Sequence, residues 1–119
     1  GPTLVVDEAL VDAVTGLSGS GPAYIFLVIE ALAEGGLKMG IPYDKALQLA
    51  SWTVYGAAKM VIETKQDPSE LRRKVTTPAG TTIQGLLRLE EAGVRAAFIR
   101  AVEDASKRAA EISKEISGQ

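Results

Sequence analysis

Apolar residues recur at helical spacing along almost the whole chain, and Gly and Pro break the pattern into segments. The spacing predicts a first helix from Asp7 to Thr15, with Asp7 as its N-cap and Gly16 as its stop. Gly16 to Pro22 reads as a loop of small residues, with Pro22 suited to the first turn of the next helix. The run Ala23 to Ile29 could be a buried strand, but the Ala, Leu and Glu from Glu30 to Glu34 favour a helix. Gly35, Gly36 and Gly40 mark its fraying end. A third helix starts at Ile41-Pro42 and continues to about Thr64, with a stripe through Leu47, Ala50, Val54, Ala57, Ala58 and Val61. Asp67-Pro68-Ser69-Glu70 is a helix start in which Asp67 caps and Glu70 reaches back, and that helix ends near Val75. Two more helices follow, Thr81 to Glu91 and, after Gly93, Val94 to about Ile116. The expected fold is all-α, a helical bundle in one domain over residues 1–119. Gly1-Pro2 is read as a cleavage scar and set aside.

Length and pattern together argue against a monomer. The third helix would be about 34 Å long at 1.5 Å per residue. A compact domain of this size is only about 35 Å across. The second and third helices are apolar nearly all round and need cover on every side. A two-fold dimer with interlocked helices supplies that cover, and a bundle with exposed leucines is the plainer alternative.

Composition narrows the chemistry. The 119 residues carry a formal charge of −2, without the clustered positive field that nucleic acid needs. The cluster Arg72-Arg73-Lys74 reads as a solvated helix face beside Glu70. There is no cysteine and no histidine, which removes disulfides, thiolate nucleophiles, most zinc sites and the usual proton shuttle. No metal partner is expected. The longest apolar run falls short of the ~20 residues that span a bilayer, so no membrane partner is expected and the location is read as cytoplasmic.

Two loops are candidate sites. Thr76 to Thr82 offers four hydroxyls and runs into a helix start, where free N–H groups and the dipole favour a carboxylate or phosphate. Threonines also cap helices and Pro-Ala-Gly also makes turns, which is the commoner use. Ser18-Gly19-Ser20-Gly21 could cradle phosphates, but it lacks the P-loop lysine and a preceding strand, so a tight helix–helix corner is the simpler reading. No carboxylate pair is set apart as an acid/base dyad, and Tyr24, Tyr43 and Tyr55 read as partly buried core residues.

The order of motifs goes further than either loop. Asp12-Ala13-Val14-Thr15-Gly16-Leu17-Ser18-Gly19-Ser20-Gly21-Pro22-Ala23-Tyr24 resembles the opening of the C-terminal domain of pyrroline-5-carboxylate reductase. Gly35 to Gly40 continues the likeness, and Val75-Thr76-Thr77-Pro78-Ala79-Gly80-Thr81-Thr82-Ile83 looks like that family's signature loop. The resemblance implies reduction of 1-pyrroline-5-carboxylate to L-proline with NADPH or NADH. It implies an N-terminal Rossmann domain, a C-terminal dimerisation domain, and a site between them that draws on both subunits. This chain has no βαβ pattern and no Rossmann glycine fingerprint, so no cofactor is expected on it and the isolated domain is expected to be inactive.

By resemblance, the substrate carboxylate would lie against N–H groups around Gly80, Thr81 and Thr82. The Thr82 hydroxyl would sit near the ring nitrogen as the catalytic group, and Thr77 would line the pocket. Ser18 to Pro22 would be a packing corner near the site. Ala79 stands where many relatives carry Gly, which bears on the loop's geometry if that position needs φ > 0. The expected partners are the substrate or L-proline and a second copy of the chain, with higher assembly left open. The competing reading is a structural or engineered homodimerisation module with no ligand site.

Overall fold

A computed structural model describes residues 7, 10–78 and 80–118. The described residues are mostly helical and contain no strand. In order they form α1 (Val11–Val14), a π-helical turn (Thr15–Gly19), α2 (Gly21–Lys38), α3 (Tyr43–Thr64), α4 (Pro68–Val75), α5 (Thr81–Glu91) and α6 (Val94–Ile116). The chain groups into two compact units, Gly1–Ile25 with Gly93–Gln119, and Phe26–Ala92. The cleavage-scar reading of Gly1-Pro2 falls outside the described residues.

The first unit corrects the expected loop after Gly16. Gly16 to Gly19 stays helical, as a π turn in which the Ser20 N–H donates to the Thr15 carbonyl at 2.9 Å. The cause is tertiary. Gly16 is buried against α6, and a Cβ there would overlap Ser106 Oγ and lie 2.7 Å from the Val102 carbonyl oxygen. Only glycine lets the two helices approach this closely. The Tyr24 hydroxyl bridges the same contact, 3.2 Å from the Gly16 carbonyl oxygen and 3.3 Å from that of Ala101. The hydroxyls of Thr15 and Ser18 donate to the Val11 and Val14 carbonyls one turn back. Ser18 to Gly21 is not the expected corner: it lies within continuous helix, a Cβ on Gly21 would meet nothing within 4 Å and one on Gly19 only Thr15, so the close packing falls on Gly16. Helix α1 starts at Val11 rather than Asp7, whose carbonyl instead accepts the Leu10 N–H in a preceding turn.

In the second unit α2 runs on through Gly35 and Gly36 instead of fraying. Gly36 faces Ala46 of α3, and a Cβ on it would come within 3.0 Å of the Ala46 Cβ. The helix stops at Gly40, whose φ of +101° only glycine takes at little cost. The Ile41 N–H then donates to the Gly36 carbonyl and the Gly40 N–H to that of Leu37, a Schellman stop. Helix α4 is capped as its sequence predicts by Asp67, whose Oδ1 accepts from the Ser69 N–H at 2.9 Å. The second donor to this carboxylate is the Ser69 hydroxyl at 2.6 Å, so Ser69 rather than Glu70 completes the cap.

These bonds hold the Asp67 carboxyl below its ordinary value, the Ser69 hydroxyl contributing most and the Ser69 N–H next. The folded chain therefore gains stability from this group above the unfolded value near 4 and loses it as pH falls through the lower folded value. Asp67→Asn should flatten the acid limb of the melting-temperature profile below about pH 4. Unchanged curvature there would show that the cap does not titrate as described.

The core within this unit is small. Ala33, Ala46 and Ala50 are buried, with Ile29 and Ile41 packed against them. At about 0.8 kcal/mol per buried methyl, those three alanines contribute roughly 2–3 kcal/mol. Ordering one residue costs about 1–2 kcal/mol, so this core does not hold the helices by itself. Large apolar side chains meanwhile stand in solvent, among them Phe26 at 69% exposure, Trp52 at 68% and Ile62 at 72%. Tyr43 and Tyr55 are exposed too, against the expectation of partial burial, and only Tyr24 is half-buried.

The expectation about apolar length is also corrected. Because the π turn joins α1 to α2, Val11–Lys38 is one 28-residue helix, long and apolar enough to cross a membrane. The core helix of a soluble protein passes the same test.

Candidate functional site

The site predicted from sequence lies wholly in the second unit, where α4 turns into α5. The Thr76 hydroxyl is spent on the Arg72 carbonyl at 2.7 Å, closing the end of α4. Thr77 is exposed, and its carbonyl accepts the Gly80 N–H at 3.1 Å. That bond draws Gly80 back over Thr77. A Cβ on Gly80 would overlap Thr77 Oγ1 and come 3.1 Å from the Thr77 carbonyl oxygen. Gly80 has φ −82° and ψ 174°, which any residue adopts, so its glycine is required by space and not by backbone angle. Ala79 lies outside the described residues, and the question of its φ with it.

Helix α5 starts at Thr81 with no side-chain cap. Among the described residues, no group accepts from the N–H groups of Thr81 and Thr82. Gly80's own N–H is already bonded, so the amides open to a ligand are those of Thr81 and Thr82, where the helix dipole favours an anion. Thr82 is half-buried and its hydroxyl makes no hydrogen bond among the described residues. Most other helical hydroxyls here, from Ser51 to Ser106, bond back to the carbonyl four residues earlier. Thr77, Gly80, Thr81 and Thr82 thus come together within one turn, with uncapped amides and, among the described residues, no hydrogen bond to the hydroxyls of Thr77, Thr81 and Thr82.

What lies beside them depends on how α3, α4 and α5 pack. Thr82 forms part of the wall of an apolar groove of about 390 Å³, together with Met60 and Val61 of α3, Leu71 and Val75 of α4 and Leu86 of α5. The available signal was Leu71 and Val75, one turn apart beside Arg72-Arg73-Lys74, which are exposed as predicted. Among the described residues no cluster of acidic side chains could hold a metal ion.

The family model for pyrroline-5-carboxylate reductase dimerisation matches residues 8–112. The chain belongs to this family. The pyrroline-5-carboxylate reductase of Methanosarcina acetivorans is 59% identical over 114 residues, covering 96% of this chain and 42% of that protein. The Arabidopsis thaliana enzyme is 55% identical, covering 96% and 41%. Among solved structures, 1-pyrroline-5-carboxylate reductase from Streptococcus pyogenes superposes with a TM-score of 0.87 at 40% identity, over 92% of this chain and 42% of that one. The Plasmodium falciparum pyrroline carboxylate reductase, solved with NADP bound, gives 0.84 at 33% identity, over 87% and 40%. The chain therefore spans about two fifths of the length of the curated relatives it matches. Membership in a reductase dimerisation family supports self-association, and it agrees with the all-α, interlocked dimer expected from sequence.

Proposed function

We propose that this chain is the C-terminal dimerisation domain of a pyrroline-5-carboxylate reductase, acting as one domain over residues 1–119 and supplying part of the substrate site. The parent enzyme reduces 1-pyrroline-5-carboxylate to L-proline with NADPH or NADH, in the cytoplasm. The observation that carries the site assignment is the turn from Thr77 to Thr82. It sets two uncapped amides beside the half-buried Thr82 hydroxyl, within the span that the family model covers. The Thr81 and Thr82 amides bind the substrate carboxylate, which the α5 dipole favours. The Thr82 hydroxyl hydrogen-bonds at the ring nitrogen, and Thr77 lines the pocket.

The hydride donor belongs to the rest of the enzyme, and these residues orient the imine for it. Thr82 is too weak an acid to be the final proton source, so water or an already protonated substrate supplies the proton. The apolar length of Val11–Lys38 is that of an interface core. Its Glu30 and Glu34 would be costly in lipid, and its Ala33 already packs in the alanine core with Ala46 and Ala50.

In the complete enzyme, Thr82→Val should lower kcat/KM for the imine about 100-fold or more and leave the KM for the nicotinamide unchanged. Undiminished kcat/KM would remove Thr82 from the site. The isolated chain should oxidise no NAD(P)H with the imine.

A further inference from the structure

We propose that Leu71 and Leu86 are positioning residues for the reaction: with Val61 they form the apolar wall that the Thr82 methyl joins, and the seated methyl aims the Thr82 hydroxyl at the ring nitrogen. The inference rests on the reading of Thr82 as the group at that nitrogen and deepens it by naming what orients the hydroxyl.

Threonine in a helix divides between two χ1 rotamers, because its hydroxyl can bond a carbonyl three or four residues back. Thr15, Thr53, Thr64 and Thr76 settle the choice in that way, each donating to the carbonyl four residues earlier. Thr82 is the second residue of α5, so no turn of its own helix precedes it. Its hydroxyl makes no hydrogen bond among the described residues. Hydrogen bonding therefore leaves the rotamer open, and the methyl decides it.

The groove of about 390 Å³ beside Thr82 has an almost wholly apolar surface, although Arg72, Lys74 and Thr82 all stand in its wall. These three thus present carbon to it: Arg72 and Lys74 their aliphatic stems, Thr82 its methyl. Leu86 lies one turn along α5 from Thr82 and on the same face. Val61 of α3 and Leu71 of α4 complete that side. All four are half-buried, whereas Met60 and Val75 at the rim are exposed. The rotamer that exchanges methyl for hydroxyl would turn a donor into this wall, where it loses water and gains no acceptor. The wall therefore selects the rotamer that keeps the hydroxyl outside the groove and available to a ligand.

Thr82→Ser keeps the hydroxyl and removes the methyl. In the complete enzyme it should lower kcat for the imine about threefold or more, the share expected when one staggered rotamer becomes three. The KM for the imine should change less than about twofold, since the Thr81 and Thr82 amides still hold the carboxylate. Leu71→Ala and Leu86→Ala should each lower kcat by a similar factor. Neither alanine should lower kcat further in the Thr82→Ser background, or in the Thr82→Val background, which has no hydroxyl to aim. Residues with a merely structural role would add their effect in every background. In the isolated chain, three-bond couplings to the Thr82 methyl should report one χ1 rotamer, and an average of rotamers in Leu86→Ala. The methyl signal is assigned by its loss in Thr82→Ser. Undiminished kcat in Thr82→Ser, additive effects of the alanines, or rotamer averaging already in the unsubstituted chain overturns the proposal. The couplings use no substrate, so a failure of the catalytic assignment, seen as undiminished kcat/KM in Thr82→Val, is read separately.

Discussion

Gly80→Val in the complete enzyme should lower kcat/KM about 100-fold or more while leaving helicity and association intact. Any Cβ at this position overlaps Thr77 Oγ1 and crowds the Thr77 carbonyl oxygen at 3.1 Å. The carbonyl accepts the Gly80 N–H, so it cannot retreat without breaking that bond. The turn must open, and the Thr81 and Thr82 amides move with it. Displacements near 1 Å at a positioning group cost about 100-fold in rate, roughly 2.7 kcal/mol. The global fold should survive, because Gly80 is only half-buried and α5 keeps its own bonds beyond the first turn. Steady-state kinetics beside a circular dichroism melt would check both parts. A variant with normal kcat/KM would mean that the geometry of this turn does not matter to the reaction.

Gly16→Ala should destabilise the chain by about 1–3 kcal/mol. The added methyl would meet backbone on α6, with the Val102 oxygen at 2.7 Å and the Ser106 nitrogen at 2.8 Å. Backbone in mid-helix yields far less easily than a side-chain tip. The overlap also pushes on the Tyr24 hydroxyl, which bonds both Gly16 and Ala101 across the same contact. A chain of this size should lose roughly 5–10 °C in melting temperature. Gly21→Ala is the control, since a Cβ there meets nothing within 4 Å. Equal melting temperatures for the two variants would show that the close approach of the π turn to α6 is not what holds this unit.

The sequence was most legible where local chemistry decides the structure. Asp67-Pro68 opens α4 and Val75 closes it, as the capping pattern requires. Thr81 to Glu91 and Val94 to Ile116 are helices with the bounds read from their spacing. The Gly16 to Gly21 segment was misread because composition is a local signal. Its glycines and serines look like a loop, but Gly16 is small because Ser106 lies against it, ninety residues along the chain. No pattern within the segment carries that contact. Gly35 and Gly36 misled for the same reason, since Gly36 serves the approach of Ala46.

The candidate site was legible as a set of residues and not as geometry. Thr77, Gly80, Thr81 and Thr82 do fall within one turn. That Gly80 spends its own N–H on Thr77, and that Thr82 faces an apolar groove, depends on how α3, α4 and α5 pack. The need for a partner was legible as apolarity on all sides of two helices. Its extent became clear only when Ala33, Ala46 and Ala50 proved to be the buried core.

Particle mass by light scattering, taken from nanomolar to high micromolar chain concentration, tests the central claim most directly. A self-associating domain gives a particle of at least twice the 12.5 kDa chain at micromolar concentration. A well-folded 12.5 kDa species throughout that range would contradict it.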